Sequence, residues 1–237
     1  MTRFARLTWQ VPDPASFAPA LAARLGLSAQ PGGLAANAWV LDLGSALLEV
    51  RPWIREGPAD DPAPGGRLML EPVPGGEEPP GGEGAVADRA AMRLVGIGWA
   101  TVELDRADDE LGPWLGETRA SAADADPHLG ALLRLRDAGG LPGDAVVLAE
   151  PGTEGRLAAS LARDGEGPCA LWLRPAGGLT AWAAAARARG LHLASRRTGP
   201  FGTQVLITGG PVAGPHLLVI DTPRASNPRR SAGTIGP

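Results

Sequence analysis

Three times along the chain, polar and apolar positions alternate with the period of a strand and then switch to the period of an amphipathic helix. The first unit alternates over residues 6–11, turns at Pro12-Asp13-Pro14 and runs as a helix over 16–25, ended by Gly26. The second alternates over 98–104, turns at Asp105 and continues as a helix over 107–115. The third alternates over 169–174, turns through Pro175 to Gly178 and continues as a helix over 179–189, ended by Gly190. Asp13, Asp105 and Thr180 are the expected helix caps.

Further strands follow each helix. They are expected at 38–43 and 46–51, at 129–136 and 145–150, and at 191–196, 204–208 and 217–221. The stretch from Gly44 to Pro52 reads against that from Gly143 to Pro151, so the closing strands repeat as well. The expected fold class is therefore α+β, built of repeated βαβββ modules. Residues 1–55 make the first module and 93–221 a domain of two modules. Residues 56–92, rich in Pro, Gly and acids, read as a linker with one strand candidate over 67–73. Residues 222–237 read as a disordered tail.

Composition narrows the chemistry. All 22 basic residues are arginine and tyrosine is absent, which excludes a Schiff-base lysine, a P-loop lysine and a tyrosine acid. Cys169 is the lone cysteine, so neither an intrachain disulfide nor a multi-cysteine zinc site can form. A net charge of −4 gives no electrostatic reason to expect nucleic acid. No apolar run approaches the ~18 residues of a membrane span, and there is no signal-peptide pattern, so the cytoplasm is expected. The 24 prolines and 34 glycines favour many short elements joined by turns.

The repeated βαβββ pattern resembles the vicinal oxygen chelate (glyoxalase/bleomycin-resistance) superfamily, which implies cup-shaped sheets with helices on the outer face. Residues 7–13 look like its opening strand and valine-proline-aspartate turn, residues 99–105 repeat them, and 154–167 are similar to its linker helix and Gly-Glu-Gly turn. Three modules depart from the usual pairing, which leaves the first to pair with a degenerate neighbour or another subunit. The resemblance implies a divalent metal held by His and Glu on opening and closing strands. At those positions this chain has Arg6, Trp99 and Ala170, then Glu49, Leu148 and Val219, so only Glu49 could be a ligand. His128, His192 and His216 fall on none of them, and His216 is expected at the surface or as a cap. No metal and no cofactor are expected.

Alternation puts Arg6, Thr8 and Gln10, then Trp99, Thr101 and Glu103, then Ala170, Trp172 and Arg174 on the face of the missing ligands. Cys169 should point away from it as a buried structural thiol. The expected ligand-binding set is Arg6, Thr8, Glu49, Trp99, Thr101, Glu103, Trp172 and Arg174. The tryptophans would stack a small aromatic or charged ligand, the acids attract positive charge and the arginines an acidic group. Two other readings stay open. One is a glyoxalase-type lyase, isomerase or dioxygenase; the other is a structural or regulatory module with a filled cup, in which Arg6 and Arg174 pair with Glu49 and Glu103. The odd module count predicts a homodimer, because it leaves a strand edge unpaired.

Overall fold

The structure, a computed structural model, describes residues 5–53, 66–72, 91–115, 121–138, 141, 143–209 and 215–221. Most of the linker and the tail from 222 onward lie outside these residues. Strand β1 (Ala5–Val11) leads into helix α1 (Pro14–Leu25). Asp13 caps the helix by accepting from the Ser16 amide at 3.2 Å, and Pro14 fits the first turn, where no amide donor is needed. Gly26 ends it at φ +78°, a left-handed conformation that glycine adopts without a Cβ penalty. Strands β2 (Ala29–Pro31), β3 (Trp39–Asp42) and β4 (Leu47–Pro52) complete the module. β4 returns parallel to β1, with Leu7 opposite Leu48 and Thr8 opposite Glu49.

The other edge of β1 is taken by β5 (Arg67–Pro72), which runs antiparallel and makes a five-stranded sheet in the order β2-β3-β4-β1-β5. Among the described residues, a single strand thus stands where a second module would begin.

The second sheet holds two modules. The first comprises β6 (Met92–Ala100), α2 (Leu104–Leu111), β7 (Asp124–Asp126), β8 (Ala131–Asp137) and β9 (Ala145–Pro151). Helix α3 (Arg156–Asp164) links it to β10 (Gly167–Pro175), α4 (Gly178–Ala188), β11 (His192–Leu193), β12 (Arg197–Gly199), β13 (Gly202–Thr208) and β14 (His216–Ile220). The order is β11-β13-β14-β10-β6-β9-β8-β7, with β12 paired to β13. Opening strands β6 and β10 meet antiparallel at the centre, and each is flanked by its own closing strand in parallel. This is the α+β arrangement of paired βαβββ modules that the repeat implied.

Details differ from expectation at element ends. α2 begins earlier, after Glu103, and Asp105 lies inside its first turn. α4 begins after Gly177, so Thr180 is not its cap. Of the expected strand over 191–196 only β11 forms, and β12 lies just beyond it.

One apolar core joins the sheets. Leu7, Trp9, Leu48 and Val50 with α1 pack against Ile97, Leu171, Leu173 and Val219 with α4. Two bonds reinforce the junction: the Trp182 indole donates to the Leu25 carbonyl at 3.1 Å, and the Leu94 amide to the Leu43 carbonyl at 2.8 Å.

Candidate functional site

The face of the first sheet turned away from α1 is polar although largely buried. β1 contributes Arg6, Thr8 and Gln10, β4 contributes Glu49 and Arg51, and β5 contributes Glu71 beside Arg6. Three of the expected site residues, Arg6, Thr8 and Glu49, are therefore together. Glu49 is only 4% exposed; one carboxylate oxygen accepts from the Ala35 amide at 3.1 Å and the other faces Arg6 Nη1 at 3.8 Å. That ion pair is loose, whereas Arg51 holds Glu71 through both guanidinium Nη atoms. Three buried groups on or next to these strands have no hydrogen-bond partner: Thr8 Oγ1, Arg51 Nε and Trp53 Nε1. Unpaired buried polar atoms are uncommon, and each destabilises a fold by about 1–3 kcal/mol. Gln10, Arg51 and Trp53 were not in the expected set, although the same alternation placed Gln10 beside Thr8.

The corresponding face of the second sheet is filled. Trp172 has no exposed surface; its indole donates to Gln204 Oε1 at 2.9 Å, and Phe201 packs on it edge-on at 5.8 Å. The Gln204 amide in turn donates to Asp126, which also accepts the His128 and Leu129 amides. Gly98 and Gly96 make room beneath: a Cβ on Gly98 would stand 2.9 Å from the Trp172 ring, and one on Gly96 2.6 Å from Phe201. Val147, Ala149, Leu206 and Leu218 fill the surrounding space, and α3 adds Leu157 and Leu161.

Four expected positions sit differently from the alternation argument. Trp99 packs on the α2 side, with Val146, Leu148 and Leu104, and not beside Trp172. Leu148 is on that same side, and Val219 faces the α4 core. Glu103 lies beyond the end of β6, exposed at the start of α2. The physical reason is register: one residue of slip moves a whole strand to its other face. Strands β6, β9 and β14 are apolar on both faces, so their sequences lack the alternation that fixes parity in β1. Arg6, Glu49, Trp99, Leu148, Ala170 and Val219 consequently do not share one cavity.

His216 opens β14 at 5% exposure, not at the surface, and its Nε2 lies 3.2 Å from Ser160 Oγ. Burial lowers its pKa to about 4. Cys169 packs with the filled face because the β6–β10 register shifts between Pro168 and Ala170, and burial pushes its thiol up to about 12. Thr101 is buried, and its hydroxyl donates to Glu166 at 2.8 Å. The Arg106 guanidinium at 2.5 Å and the Val102 amide at 2.7 Å hold the Glu166 carboxyl down at about 2. Trp99 and Glu166 also line a cavity of about 180 Å³ against β5, below the roughly 300 Å³ at which small-molecule pockets usually start.

The donor set does not suit the metal that the resemblance implied. By register, Thr8, Gly98 and Ala170 on the opening strands stand opposite Glu49, Val147 and His216 on the closing ones, so one carboxylate and one imidazole are present, on different sheets. Among the described residues no three His, Cys, Asp or Glu gather as a metal group, and no described helix is long and apolar enough to cross a membrane.

The topology and this filled-and-polar pair of faces define a fold of paired βαβββ modules. Solved structures similar to the chain include methylmalonyl-CoA epimerase from Mycobacterium tuberculosis, at 22% identity over 54% of this chain and 88% of that one, TM-score 0.45. A Streptomyces coelicolor methylmalonyl-CoA epimerase variant in complex with 2-nitronate-propionyl-CoA matches at 18% identity over 56% and 100%, TM-score 0.44. A hypothetical protein from Bacillus halodurans matches at 14% identity over 56% and 97%, TM-score 0.42. At these values the likeness assigns neither ligand nor residues. No protein-family profile and no curated protein matches the chain.

Proposed function

We propose that the chain is a metal-independent small-molecule-binding protein, of the glyoxalase/bleomycin-resistance type, whose ligand is held on the polar face of the first sheet. One observation carries this reading: on the face that holds a loosely paired Arg6 and Glu49, buried Thr8 Oγ1 and Arg51 Nε lack partners, as does Trp53 Nε1 just beyond the end of β4. Free donors beside a carboxylate suit a molecule with an acceptor oxygen next to a cationic or hydrogen-bond-donating group. Glu49 is the only acid at the family's ligand positions, which supports recognition without coordination. A cytoplasmic homodimer remains part of the proposal. Among the described residues its free edge is that of β5, since β5 covers β1.

The filled face of the second sheet favours the structural reading for that half. Trp172 would then serve as core, with no ligand stacked on it. The test is a thermal-shift panel of small zwitterions and hydroxy or keto acids, run on the wild type and on Glu49→Gln and Arg6→Gln. A compound that stabilises the wild type and loses most of its effect in both variants supports the proposal. Equal stabilisation of all three proteins by every active compound contradicts it.

A further inference from the structure

Arg93 and Arg174 stand directly opposite one another on the antiparallel pair β6–β10. Such partners project from the same sheet face with Cβ atoms about 5 Å apart, where like charges repel. The face is the filled one, since Arg174 follows Trp172 by two residues. The charges there do not balance. Arg93 reaches one carboxylate, that of Asp144, at 2.6 Å. Arg174 is half-buried and has no side-chain hydrogen bond or ion pair among the described residues. The Nε atoms of both arginines are shut off from solvent without an acceptor. A partly buried guanidinium with no counter-charge is unfavourable, and two side by side with a single carboxylate leave one positive charge uncompensated.

We infer that Arg93 and Arg174 form an oxyanion-binding site at the rim of the filled face, taking a carboxylate or phosphate group between their two guanidinium forks. Planar guanidinium groups bind such oxygens in pairs, and an arriving anion relieves the repulsion between them. The site lies on the other sheet from the polar face of β1, and neither depends on the other. Arg174 was expected to meet an acidic group; Arg93, its partner in this, carries no alternation signal because β6 is apolar around it.

The full chain is titrated with inorganic phosphate and, separately, with succinate at constant ionic strength, following the arginine Nε–H resonances by NMR. A saturable shift of the Arg93 and Arg174 resonances is expected with at least one anion; phosphate preference marks a phosphorylated ligand and succinate preference a carboxylate, and either supports the site. Binding should weaken about tenfold or more in Arg174→Gln and in Arg93→Gln, less in Arg174→Lys, and stay unchanged in the exposed control Arg187→Gln. Saturable binding that persists at full strength in both glutamine variants overturns the inference, as does the absence of a saturable response to both anions. If one variant fails to fold, the wild-type resonances and the other variant decide the matter.

Discussion

The two sheets repeat one module plan and treat its inner face in opposite ways. In the second, two complete modules meet at β6 and β10, and the face between them is closed by Trp172, Phe201 and α3. In the first, a single strand among the described residues, β5, takes the partner module's place, and the face keeps Arg6, Thr8, Gln10, Glu49 and Arg51, with polar atoms unpaired. A face filled by its own side chains gains stability and leaves recognition only to its rim. A buried polar face does the reverse, because it leaves hydrogen-bonding groups that a bound molecule can satisfy.

The difference can be attacked from the closed side first. Trp172→Ala should destabilise the protein by about 3–5 kcal/mol, the usual loss for a buried tryptophan. It is read from urea unfolding; a change under about 1 kcal/mol would mean that the face is not a core.

A smaller effect belongs to pH. Burial holds His216 at about 4 in the folded state, below its ordinary 6.5, so the unfolded chain binds the proton more readily between those values. Stability contributed by neutral His216 is complete above pH ~6.5 and falls as pH drops toward 4, at no more than about 1.4 kcal/mol per unit. His216→Gln should flatten that slope relative to the wild type, and unchanged slopes would show that His216 is not buried as a neutral ring.

The smallest effect has the most telling sign. Thr8→Val should leave the ligand-free protein equally stable or up to about 1 kcal/mol more stable, because it removes a buried hydroxyl with no partner. The same substitution should weaken ligand binding. A loss of stability in urea unfolding of the free protein would show that the hydroxyl is satisfied internally.

Much of this architecture was legible in the sequence. Alternation in β1, where Arg6, Thr8 and Gln10 interleave with Leu7, Trp9 and Val11, gave both the strand and its faces correctly. The Asp13 cap and the strand candidate that became β5 were visible for similar local reasons. What could not be read was parity in strands buried on both sides: nothing in the run from Val95 to Ala100, or from Leu217 to Ile220, says which residue faces α2 or α4. Trp99 was misplaced on that account, and so were Leu148 and Val219. Arg51 and Trp53 carry no such sign, because their significance lies in absent partners, which only the fold displays. The proposed linker and tail boundaries fall mostly outside the described residues.

Indole N–H resonances give the sharpest comparison, since Trp53 carries an unpaired Nε1 on the polar side and Trp172 a bonded one in the closed face. A compound that stabilises the protein is added during 1H–15N NMR, with both indoles assigned by single substitution. The Trp53 indole should shift as the ligand saturates while that of Trp172 stays in place. Movement of Trp172 with a silent Trp53 would put the ligand in the second sheet and contradict the assignment of recognition to the first.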